Sequence, residues 1–135
     1  MWEYRATRVS GNRPIIDSVH DGDTVRLLID VGFDVRVEKW IRLDDVRGPE
    51  LSQVGGWEAR DFAVQWMLAR VPMSGNPSHR WPLLLTTELT RTTEPSEIQS
   101  FARYVGTVRD ILTGESLNAA INDYLAAHPE WPAGK

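Results

Sequence analysis

The chain has 135 residues, with 41% hydrophobic and 25% charged side chains, a net charge of -4 and no cysteine. That is one globular domain with a core of its own, too short for two ordinary domains. Missing cysteines exclude disulfides, thiolate metal sites and a cysteine nucleophile, and the acidic balance argues against strong non-specific binding to duplex nucleic acid, which needs clustered Lys and Arg. A local cluster can still outvote net charge at a small phosphate site.

In chain order, "WEYRATRV" alternates as a strand, and "SGNRP" reads as a turn or loop. "IIDSV" resumes an extended segment that runs into "HDGDT". "TVRLLIDV", Thr24 to Val31, has the β-branched and aliphatic character of a strand. "GF" is a turn, and "DVRVEKWIRL" alternates, so the pair predicts a hairpin. In "IRLDDVRGPEL" the alternation carries Asp45 onto the side of Ile41 and Leu43, before a Gly-Pro stop and Glu50. The period then changes: "GWEARDFAVQWMLARV" places Ala59, Phe62, Ala63, Trp66 and Met67 at helical spacing, with glycines before it and Pro72 after it.

"PMSGNPSHR" is a loop, "WPLLLTTEL" a strand, and "TRTTEPSE" a polar, mobile connection. "SFARYVGTVRD" reads as a strand and "LTGES" as its turn. "LNAAINDYLAA" puts Leu117, Ile121, Tyr124 and Leu125 on one helix face. The tail, 127–135, should fray unless Trp131 packs back. Trp57, Phe62 and Trp66 read as core, and Trp2, Trp40 and Trp81 as barrel-surface residues. His20, His79 and His128 have neither metal-ligand spacing nor a nucleophile partner and read as surface. Arg36, Lys39, Arg42 and Arg47 form either a phosphate-tracking stripe or a solvated strand face. Strands, helix, strands, helix make an α+β arrangement, a small barrel with helices packed beside it. No apolar run has membrane-spanning length and no basic-then-apolar leader opens the chain, so a cytoplasmic protein without membrane contact is expected.

Several motifs in this order resemble the staphylococcal nuclease (thermonuclease) family: "DGDTV" at 21 to 25, "IRL…GPE" at 41 to 50, "GWEARDF", "FARYVG" and "GESLNAAI". The N-terminal "EYRATRV" and the "IDVGF" hairpin look like its phage and bacterial branch. The resemblance spans nearly the whole chain and implies a five-stranded OB-type barrel with two or three flanking helices. It also implies calcium-dependent hydrolysis of phosphodiesters in DNA or RNA, with single-stranded or frayed nucleic acid as the partner. By position, Asp23 would be a calcium ligand and Gly48 would lend its backbone carbonyl. Glu50 would orient or deprotonate the attacking water. Arg42 and Arg103 would hold phosphate oxygens, a role that suits the planar, permanently charged guanidinium.

One position departs from the family. Where a second acidic calcium ligand is expected, this chain has Arg47. Two like charges a few ångströms apart repel by roughly 4 kcal/mol at a surface-like dielectric, so an inward Arg47 would weaken calcium binding. Three arrangements are open. Arg47 swings outward and leaves a weaker metal site, Arg47 pairs with Asp23 in place of the metal, or Asp44 or Asp45 supplies the missing oxygen. One of those two aspartates should face the barrel interior, unless it faces the cleft or the strand is bulged. The alternative function is a catalytically inactive OB-fold module that binds single-stranded nucleic acid or a protein partner. Oligomeric state is not legible.

Overall fold

The computed structural model describes residues 2–8, 18–70, 81–91 (side chains to 87) and 104–132. Six strands and two helices follow in the order β1 (Trp2–Arg8), β2 (Val19–Asp21), β3 (Thr24–Asp30), β4 (Arg36–Leu43), α1 (Gly56–Arg70), β5 (Leu83–Arg91), β6 (Tyr104–Asp110) and α2 (Leu117–Ala126). The sheet runs β1-β5-β6-β4-β3-β2, and β1 also pairs with β3. That second pairing, Arg5 opposite Asp30 through Arg8 opposite Leu27, closes five strands into a barrel and leaves β2 as an extra strand on β3. β4 and β6 run parallel; the other neighbours are antiparallel. This is the α+β, OB-type barrel expected from the alternating segments, and closure removes the free edges an open sheet would expose.

The inward rows follow from strand alternation. Val25, Leu27 and Ile29 on β3, Ile41 and Leu43 on β4, and Leu83 and Leu85 on β5 are all buried. From α1 the core takes Ala59, Ala63, Trp66 and Met67, which share one helix face. Trp57 lies off that stripe. It is 61% exposed and carries the Arg60 guanidinium 5.2 Å from its ring, so it is not the core residue its bulk suggested. Phe62 is half-buried and stacks on Tyr124 of α2 at 4.6 Å. α2 starts at Ser116, whose Oγ accepts from the Ala119 N–H.

Two loops differ from expectation. The β3–β4 connection is Val31–Val35 rather than a two-residue turn, with left-handed φ at Phe33 (54°) and Asp34 (61°). β4 ends at Leu43, so Asp44 and Asp45 leave the sheet as an exposed turn, with Asp45 at φ 59°. Neither aspartate faces the barrel interior; Val46 takes the next buried position. Beyond α2 the chain turns back, with Trp131 stacked on His128 at 3.9 Å and seated against Gly55, where a Cβ would lie 2.2 Å from the indole. His20 is exposed as expected, whereas His79 and most of the polar 90–97 stretch lie outside the described residues. Among the described residues no helix is long and apolar enough to cross a membrane.

Candidate active site

The "DGD" turn between β2 and β3 is the centre of the site. Gly22 is wedged between two other segments. A Cβ there would lie 2.8 Å from the Ala59 Cβ of α1, and a Cβ on Gly48 would come within 3.5 Å of the Gly22 Cα. The missing side chain at Gly22 lets the helix and the "DGD" turn stack this closely, and the "RGP" turn packs on that turn at ordinary van der Waals distance. The Leu43 N–H donates to the Asp23 carbonyl at 2.7 Å and ties the end of β4 to the same turn. Arg42 stands opposite Thr24 in the β3–β4 ladder. Asp23, Thr24, Arg42 and Gly48 are therefore brought together from two strands and a turn.

Asp21 joins them, although the motif reading passed over it. It is buried, its Oδ1 accepts the Asp23 N–H at 3.0 Å, and its Oδ2 lies 3.9 Å from the exposed His20 Nε2. Asp23 is buried too, and its Oδ1 accepts the Thr24 hydroxyl at 3.0 Å. Burial pushes the Asp23 carboxyl up to about 7, and the hydrogen bond and negative charge of Asp21 push the same way. The Thr24 hydroxyl and the Arg42 guanidinium oppose the rise without cancelling it. Two neighbouring carboxylates out of water call for a shared proton or a cation. The Asp-x-Asp spacing around a glycine was the available signal for Asp21.

Arg47 is exposed and forms no ion pair among the described residues. It lines a depression of about 290 Å3 with Arg42, Asp44, Asp45 and Val105. Of the three arrangements open to Arg47, the outward one is present, and Asp23 keeps its carboxyl free of that guanidinium. Asp44 and Asp45 share the depression with Arg42, but no cluster of three acidic or histidine side chains forms among the described residues.

Glu50 is exposed, and its carboxylate has no hydrogen-bond partner among the described residues. Its backbone is fixed: the N–H donates to Gln53 Oε1 at 2.8 Å, and the carbonyl accepts the Gln53 N–H at 2.9 Å. Gly56 lies so close to that carbonyl that a Cβ would sit 2.0 Å from it. Arg103 lies outside the described residues. Its neighbour Tyr104 pairs with Ile41, and Val105 with Arg42, so β6 begins beside the site.

Two asparagines missed from sequence hold the Asp44–Asp45 turn. Asn118 is buried, accepts the Val108 N–H, and donates to the carbonyls of Asp44 (3.0 Å) and Gly106 (3.1 Å). Asn122, one helical turn on, donates to the Asp45 carbonyl at 3.0 Å. Asn-x-x-x-Asn on an otherwise apolar helix was the signal. The basic stripe is not one surface. Arg36 and Arg42 sit on the outward row of β4, whereas Lys39 shares the inward row with Ile41. Outward neighbours of Arg42 include Trp40, with the Arg26 guanidinium 5.3 Å from its ring.

The chain matches no family model, and no curated protein sequence resembles it significantly.

Calcium takes about six to eight oxygens. Asp23, whose raised proton affinity marks a place that favours positive charge, its buried neighbour Asp21 and the Gly48 backbone packed on their turn fit a cation held with water completing the shell.

Proposed function

We propose that this chain is a calcium-assisted nuclease that hydrolyses phosphodiester bonds of DNA or RNA in the cytoplasm, with activity weakened by Arg47. The observation that carries this is the buried Asp21–Asp23 pair, with Arg42 near enough to act on the Asp23 charge and the Gly48 turn packed on it. The resemblance to the staphylococcal nuclease family supplies the reaction class; the comparisons add nothing to it.

Asp21, Asp23 and the Gly48 carbonyl would hold the metal. Calcium, when bound, lowers the electrostatic barrier to attack on a phosphodiester anion. Arg42 donates two parallel hydrogen bonds to phosphate oxygens, and Arg103 is assigned the same task. Glu50, carboxylate unpartnered and backbone fixed, accepts a proton from the attacking water. Trp40 and Arg26, next to Arg42 on the outer face, give a single strand a ring to stack on and a cation to follow.

The test is cleavage of a fluorescent single-stranded DNA across a calcium titration, wild type beside Glu50→Ser. Calcium-dependent cutting that disappears in the variant is expected. A folded wild type that leaves the strand intact at millimolar calcium would refute the reaction. A second function, a non-cutting module for single strands or a protein partner, is favoured by one observation: no third carboxylate joins the pair among the described residues.

A further inference from the structure

We propose that the mouth of the barrel is a second binding site, for a small flat aromatic ring carrying one anionic group. Strand alternation fixes what faces this mouth. On β4 the inward row contains Val37, Lys39, Ile41 and Leu43; Ile41 and Leu43 are core, and Lys39 emerges where the row reaches solvent. A lysine on the inward row of a closed barrel is unusual, because the same row elsewhere is aliphatic. The space it faces is a cup of about 300 Å3, lined by Trp2, Tyr4 and Tyr104 as walls and Ile29 and Ile41 toward the core.

Size, shape and charge select the ligand. The volume is at the small end for ligand sites and suits one or two fused rings. Aromatic walls favour a flat ring over a branched aliphatic one, through stacked and edge-on contacts. Among the described residues Lys39 is the one charged side chain lining the cup, and it has no ion pair there. Thr87, also in the lining, commits its hydroxyl to the Val105 carbonyl at 2.7 Å. An apolar cup with a lone ammonium at its rim matches an apolar body with an anionic head. The site is separate from the candidate active site: Ile41 and Arg42 are adjacent but point to opposite faces of β4.

The experiment titrates the whole protein with indole-3-acetate, neutral indole, tryptamine and octanoate, followed by amide chemical shifts. Indole-3-acetate is expected to saturate with Kd below about 1 mM and to move the amides of Ile29, Ile41 and Tyr104. Indole should bind roughly fivefold more weakly, and Lys39→Met should reduce the acid to the affinity of indole. Lys39→Glu should reverse the preference, so that tryptamine binds better than indole-3-acetate. Lys39 is exposed, so both variants should keep the fold. Equal binding of the acid to wild type and Lys39→Met would overturn the proposal. So would shifts confined to the Arg42 side, no saturation by any ring probe, or octanoate binding where indole-3-acetate does not.

Discussion

Replacing Asp21 by Asn isolates the carboxylate pair at the centre of the site. The amide keeps an Oδ1 that can accept the Asp23 N–H, so the turn's hydrogen bond survives while one negative charge is removed. In the wild type Asp23 is raised from 3.8 to about 7, by burial first and then by Asp21. A raised acid means that the folded protein retains a proton the unfolded chain has already released. Stability therefore falls as pH rises from about 4 to about 7, and the whole penalty is present above 7. A shift of about three units corresponds to at most about 4 kcal/mol. Burial is the largest cause, so the part owed to Asp21 is roughly 1–2 kcal/mol. Asp21→Asn should thus exceed wild type in stability by roughly 1–2 kcal/mol near pH 8.5 and by only a few tenths near pH 4.5, where Asp23 already holds its proton. Urea unfolding followed by tryptophan fluorescence, in chelator at both pH values, measures this. Millimolar calcium should narrow the gap at the higher pH, because the cation neutralises the wild-type pair. An equal effect of the substitution at both pH values would refute the assignment of Asp23's proton affinity to its neighbour.

Arg47→Asp removes a cation and adds an acid beside the "DGD" turn; calcium affinity, read as the metal-dependent rise in melting temperature, should improve at least roughly tenfold. An unchanged rise would mean that position 47 does not face the cation. Asn118→Ala leaves the Val108 N–H and the carbonyls of Asp44 and Gly106 without their side-chain partner, and chemical denaturation should show a loss of roughly 2–4 kcal/mol. Gly56→Ala forces a Cβ against the Glu50 carbonyl, so the Glu50 turn must move; the cutting rate should fall even in the fraction that remains folded by circular dichroism. Arg8 is a buried cation on the inward row of β1 whose Nη1 has no hydrogen-bond partner among the described residues. Arg8→Met should be neutral or stabilise by roughly 1–2 kcal/mol in urea titrations.

Much of the barrel was legible because alternation alone distinguishes inward from outward residues. Alternation places the β3–β4 hairpin, and helical spacing places α1, within a residue or two. Alternation failed where a strand stopped without a break in composition. Asp44 and Asp45 continue the pattern of "IRL", but Leu43 bonds to the "DGD" turn and Asp45 adopts a left-handed φ, so the polypeptide leaves the sheet. Trp57 was misplaced for a related reason: bulk suggests burial, whereas helical phase puts it away from Ala59 and Met67. At the site, Asp23, Arg42 and Gly48 were found as motif positions. Asp21 and Asn118 lie inside "DGDTV" and "GESLNAAI" but carried no role there, and Asn122 lies in neither; the asparagines matter through contacts with segments distant in sequence, Asp21 through its burial beside Asp23. Asn118 touches a residue 74 positions away; the Asn-x-x-x-Asn spacing marks the two asparagines but does not name the partner.

Arg47 bears on both functions, and its orientation narrows what the substitution can do. An inward guanidinium would have satisfied the carboxylate pair and left no place for a metal. Facing the Arg42 depression instead, it leaves Asp21 and Asp23 with their mutual repulsion, which the fold bears only as a retained proton or by taking up a cation. It also places a second arginine in a depression that contains Arg42 together with Asp44 and Asp45, so that the two cations balance the two acids there. If the proposed reaction holds, an outward Arg47 would weaken the metal site while offsetting Asp44 and Asp45 beside Arg42, which would favour a phosphate there. A nuclease built this way should bind nucleic acid without calcium and need more calcium to cut. Binding and cutting should separate along the calcium axis, and Arg47→Asp should bring them back together.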